Sequence, residues 1–110
     1  MTTTNTKQDV KREFFRLVVK GWKEQKLKFT KYEYFNPRTG GYCALGVAAK
    51  VKDPSLVLDG GWKDHDKVKA TLQPYWEDVA INHKLNVANV QNNCTTKGEA
   101  MRKIRQALGI

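Results

Sequence analysis

Gly40-Gly41-Tyr42-Cys43-Ala44-Leu45-Gly46-Val47-Ala48-Ala49 runs from a glycine turn into the smallest, most apolar helix-forming segment of the chain. Gly46 sits inside that segment, where glycine costs roughly 0.5–1 kcal/mol relative to alanine. Close approach of another element to the bare backbone is the return expected for that cost. The segment therefore reads as a short buried helix over Cys43 to about Lys52, stopped before Asp53-Pro54. The other elements are expected to pack around it.

Upstream, Lys7 to about Gln25 has helical periodicity, with Asn5 or Thr6 as its cap. Val10, Phe14, Leu17, Val18 and Gly21 fall on one face, widened by Phe15, Val19 and Trp22. Arg12, Arg16, Lys20 and Lys23 fall within about an 80° arc on the opposite face, forming a basic stripe. Leu27 to Phe35 is aromatic and partly alternating, which predicts a strand. Asn36-Pro37-Arg38-Thr39-Gly40-Gly41 turns it into a hairpin arm whose second limb is short, around Gly41-Tyr42. On that arm Tyr32, Tyr34 and Tyr42 interleave with Lys28, Lys31 and Arg38, a mixture able to stack on and neutralise single-stranded nucleic acid. The same residues can also serve only to cover the core edge and keep the hairpin soluble.

Downstream of the central helix, Asp59-Gly60-Gly61 makes a turn, and Asp64 or Asp66 can cap a helix running toward Leu85. Val68, Leu72, Tyr75, Trp76, Val79 and His83 share a face of it, with a kink or break at Pro74. Asn86 to Asn93 reads as a polar connector. Thr96-Lys97-Gly98-Glu99 is a capping box for a last helix burying Ala100, Ile104, Ala107 and Leu108, with Arg102 and Arg105 outward. The elements add up to an α+β fold, mainly helical, of about four helices packed with a small β-hairpin arm. Residues 1–6 are expected to be a disordered N-terminus and 7–110 a single compact domain.

Charge narrows the function. The net charge of +9 is uneven: residues 1–31 carry +6, residues 86–110 carry +3, and the middle is balanced. Such a field favours nucleic acid or an acidic protein surface as partner. No run approaches a membrane span and the N-terminus lacks the apolar core of a secretory signal, so the expected location is cytoplasmic, with no membrane partner. Cys43 and Cys94 do not form a zinc set with His65 and His83 at standard spacing, and no metal or cofactor is expected.

Lys20-Gly21-Trp22, then Gly41 to Ala48, then Asn92-Asn93 before the closing helix resembles a loose group of small phage-encoded proteins. Those carry a Gly-Trp signal after the first helix, a Cys-x-Leu-Gly-x-hydrophobic segment, and an Asn-Asp pair ahead of a final helix. The resemblance spans about residues 14–108. It implies a phage or prophage origin more than an activity, since the group is largely of unknown function. Gly21, Trp22, Cys43, Leu45, Gly46 and Asn92 are the shared positions, most of them read as architectural. Asn93 departs from the group's Asp.

Two functional classes follow. The first is a small basic accessory protein acting stoichiometrically on nucleic acid or an acidic host protein in host takeover or anti-defence. Its contacts would come from Arg12, Arg16, Lys20, Lys23, Lys28, Lys31, Arg38, Arg102 and Arg105, with Tyr32 and Tyr34 stacking. The second is a cysteine-dependent hydrolase or transferase. Cys43 at a helix start, His65 or His83, and Asn92 or Asn93 follow the linear order of papain-like sites, without the flanking signature of that class. A thiol at a helix N-terminus feels the positive dipole end, which favours thiolate. A buried cysteine instead behaves as a small hydrophobe. The balance of features leans away from an enzyme.

Overall fold

The structure is a computed structural model that describes residues 7–80 and 87–110. Six α-helices and a small three-stranded sheet are built from them, which is the mainly helical α+β architecture expected. Helix α1 spans Lys7–Val19 and buries Phe14 and Val18. The chain then widens into a π turn over Lys20–Glu24 in place of the single α-helix expected as far as Gln25. The i, i+4 spacing of Phe14, Val18 and Trp22 explains the change. In an α-helix each such step drifts by about 40° around the axis, whereas all three side chains here are fully buried. A wider turn absorbs the drift and lets Gly21 meet Val47 while Trp22 enters the core. Trp22 donates its Nε1–H to Tyr42 O at 3.2 Å and packs edge-on against Phe29.

The sheet corrects the reading of Leu27 to Phe35 as one strand. Strand β1 (Lys28–Phe29) and strand β2 (Phe35–Asn36) are separate, and both flank β3 (Gly41–Tyr42) in the order β1-β3-β2. β1 runs parallel to β3, pairing Phe29 with Tyr42, and β2 runs antiparallel, pairing Phe35 with Tyr42. Between β1 and β2 the chain reverses through Tyr32, whose φ of 69° is left-handed. The β2–β3 hairpin has the short second limb expected, closed by Gly40 N–H to Asn36 O at 2.8 Å.

Helix α2 (Ala44–Lys52) lies at the centre, with Ala44 to Ala49 all buried. Its return for Gly46 is plain. A Cβ there would overlap the backbone carbonyl of Tyr34, which also accepts the Cys43 N–H at 3.3 Å. The strap between the outer strands is thus laid directly on the helix backbone.

Helix α3 (Asp64–Thr71) and the short α4 (Trp76–Val79) divide at Pro74, the break expected there. Asp64 does more than begin a helix. Its buried carboxylate accepts the N–H groups of Asp59 and Gly60, at 3.1 and 2.8 Å, and so ties down the preceding turn. Helix α5 (Val87–Asn92) replaces the polar connector expected there, because Val87 and Gln91 fall on one face and are both buried. Helix α6 (Lys97–Leu108) starts on the expected box: Glu99 N–H donates to Thr96 Oγ1 at 3.2 Å. The reciprocal arm reaches one residue further back, to Thr95 N–H. Ala100, Ile104 and Leu108 form its buried face, but Ala107 is exposed. Positions expected to cap α1, together with His83, lie outside the described residues.

Candidate nucleic-acid interface

Helices α1 and α6 pack side by side, and that contact decides which of the basic residues meet. Arg12 and Arg16 from α1 and Arg105 from α6 line one open groove with Phe15, Val19 and Ile110. The groove holds about 350 Å³ and no acidic side chain lines it. All three arginines are exposed. Among the described residues the single ion pair is Arg12 with Asp9, at 3.5 Å between two half-exposed side chains. Such exposed pairs are worth little and exchange readily. Arg105 donates its Nε–H to Ile110 O, which steadies its stem against the groove wall. Gln8 donates to Gly109 O at 2.7 Å, fixing the start of α1 on the end of α6.

Several expected contributors stand elsewhere. Lys20 and Lys23 are exposed but do not line the groove, since the π turn beginning at Lys20 breaks the helical phase that would extend the stripe. Lys28, Arg38 and Arg102 are exposed at other positions. Glu13, on the border of the stripe, is engaged by the Tyr75 hydroxyl, which donates to its carboxylate at 2.9 Å. Lys97, counted with the positive charges of the last helix, turns inward and donates to Trp22 O and Leu27 O at 2.8 and 3.2 Å. It answers one carbonyl inside the π turn and one three residues beyond it.

The aromatic part of the expected surface is redistributed as well. Tyr34 is half-buried, and its hydroxyl is within 2.7 Å of His65 Nδ1. Burial, with the Cys43 thiol nearby, pushes the Tyr34 phenol up to about 12. Tyr42 is half-buried in the sheet. Tyr32 alone of the three is exposed, with Lys31 Nζ 5.9 Å from its ring centre. Its backbone is held by Asn92, whose Oδ1 accepts the Tyr32 N–H at 3.0 Å. Asn92 Oδ1 also takes a hydrogen bond from Gln91 Nε2, and Gln91 Oε1 accepts the Ala44 N–H at the start of α2. Sequence reasoning missed Gln91, a polar residue on a buried face. It also missed Trp62, which stands 81 % exposed on the turn after Gly60-Gly61. The available signal was its isolation, with no helical or strand stripe to join.

The residues of the cysteine-enzyme reading are placed as follows. Cys43 is the N-cap of α2: its Sγ accepts the Gly46 N–H at 3.4 Å and the residue is buried. Burial pushes the thiol up to about 11, although N–H groups of the first turn act in the opposite sense. Desolvation therefore outweighs the helix terminus, and the group is a protonated thiol at neutral pH. Asn93 is exposed, just past the end of α5, and donates to Asn89 O of that helix, and His65 is engaged by Tyr34. Cys94 is buried, and both cysteines are free. Among the described residues no group of His, Cys, Asp and Glu is arranged to hold a metal ion, and no helix is long and apolar enough to cross a membrane.

No family model, curated protein or solved structure matches this chain.

Proposed function

We propose that the chain is a small basic binding module of phage type, acting stoichiometrically on an anionic macromolecule, with nucleic acid as the partner. The observation that carries this reading is the α1–α6 groove, where three arginines from opposite ends of the sequence converge around Phe15 with no acidic side chain in its lining. Arginine's planar fork suits the bidentate recognition of phosphate oxygens. Contacts of this kind position a backbone and carry little sequence information.

Three phosphates neutralised on duplex DNA release enough counterion to give a slope near −2.7 in log affinity against log salt, so binding should fall roughly 500-fold over a tenfold rise in salt. Fluorescence anisotropy with a labelled 20-mer duplex across that range measures it. The triple variant Arg12→Glu, Arg16→Glu, Arg105→Glu should lose binding at all salt concentrations while keeping its helical content, since all three side chains are exposed. Equal binding at low and high salt would rule out the phosphate mechanism.

A further inference from the structure

Of the eleven Trp, Tyr and Phe side chains, Tyr32 and Trp62 are the exposed ones, at 78 % and 81 %, and both line the same cleft. The other nine are buried or half-buried. The cleft holds about 330 Å³, and Glu33, Tyr34, Gly60 and His65 also line it. A lysine ammonium lies over one face of each exposed ring, Lys31 at 5.9 Å from the Tyr32 centre and Lys63 at 5.6 Å from the Trp62 centre.

Neither ring stands out by default. Tyr32 occupies the left-handed region at φ 69°, which for a residue other than glycine or asparagine costs on the order of 1–2 kcal/mol. The cost is met by hydrogen bonding from its backbone to Asn92, itself fixed by buried Gln91. Trp62 follows a turn whose N–H groups at Asp59 and Gly60 are bound by the buried Asp64 carboxylate, while Gly61 N–H goes to Asp59 Oδ1 at 2.8 Å. Both rings are thus mounted on backbone held by dedicated hydrogen bonds. Prior ordering of this kind lowers the entropic cost of binding.

We infer that Tyr32 and Trp62 form an aromatic clamp that stacks on unpaired bases of single-stranded nucleic acid, with Lys31 and Lys63 meeting the adjoining phosphates. The pairing of ring and ammonium selects a ligand that is planar, apolar on its faces and anionic along its edge. A base on a phosphodiester backbone has that chemistry. Paired bases inside a duplex offer no free face, so the clamp adds affinity for single strands only. The inference rests on the nucleic-acid reading above and adds strand preference to it.

The test uses the full chain with labelled dT12 and a 12-base-pair duplex. Trp22 and Trp76 are buried, so quenching of tryptophan emission on adding dT12 reports Trp62. Stacking contributions by alanine substitution correspond to losses of about 5- to 150-fold per base. Trp62→Ala should therefore weaken dT12 binding roughly tenfold or more and leave duplex affinity and its salt slope unchanged. Tyr32→Asn, which suits the left-handed backbone while removing the ring, should act the same way. Wild-type affinity for dT12 in both variants, or equal losses on single strand and duplex, would overturn the clamp and leave the basic groove standing. Failure of the unmodified chain to bind either probe would overturn both readings together.

Discussion

Gly46 and Gly21 both face a neighbour at close quarters, yet they differ in what that neighbour can do. At Gly46 the obstacle is the Tyr34 carbonyl, part of the backbone and already engaged with Cys43 N–H. At Gly21 it is a methyl of Val47, a side chain, although a β-branched one with little rotamer freedom inside a helix. Gly46→Ala should cost at least the upper part of the roughly 1–3 kcal/mol typical of overpacking. Gly21→Ala should cost less, because alanine's better helix propensity, about 1 kcal/mol, offsets part of the strain. Denaturant unfolding of the two variants against the parent checks the order, and a milder effect at Gly46 would contradict the packing described. The need for a bare backbone at position 46 was legible from glycine inside a helical run. The identity of the partner was not, because Tyr34 approaches through its main chain, to which every sequence gives the same atoms. Cys43 was legible in two ways, and the magnitude of desolvation against helix-end N–H groups separated them.

Among the elements, α2 and α6 were readable because their apolar spacing and caps agree, as in the Thr96–Glu99 box. The run from Leu27 to Phe35 misled because its residues favour strand individually, while Tyr32 takes a backbone conformation for which the sequence offers neither glycine nor asparagine. Helix α5 was hidden for a related reason: its buried face is half polar, and Gln91 is satisfied only by tertiary partners on α2 and by Asn92. The relay from α2 through Gln91 and Asn92 to Tyr32 makes a prediction. Asn92→Ala removes the acceptor for two donors, and should lower stability by about 1–3 kcal/mol. It should also free the 30–34 strap. Amide exchange at Tyr32 accelerating well beyond that of α6 would mark the release, and unchanged protection there would show that the strap does not depend on Asn92.

Over the whole molecule, the concentration of charge at the two ends of the sequence was evident. Which of those charges meet was not, because the π turn rephases Lys20 and Lys23 and the fold draws Lys97 inward. The candidate groove is thus a smaller set than the sequence offered, and Trp62 stands outside it, in the separate cleft with Tyr32. Stability should also carry a molecule-wide signature in alkali. Burial raises Cys43 to about 11, and burial raises Tyr34 and Tyr75 to about 12, the latter aided by the Glu13 carboxylate. Raised acids hold their protons longer in the folded chain than in the unfolded one. Their contribution is therefore complete below about pH 9, the ordinary range of these groups, and is lost as pH climbs through 11 to 12. Melting temperature measured from pH 8 to 12 should stay level and then fall steeply. Tyr75→Phe should flatten part of that fall, and an identical profile for this variant would remove Tyr75 from the account. One last feature reaches past equilibrium. Lys97 closes on Trp22 and Leu27, and Gly109 receives Gln8, across separations of 70 to 101 residues. In a nascent chain, the contacts around Gln8 and around Trp22 to Leu27 therefore stay open until residues 97–109 have left the ribosome, so this part of the fold closes late and all at once.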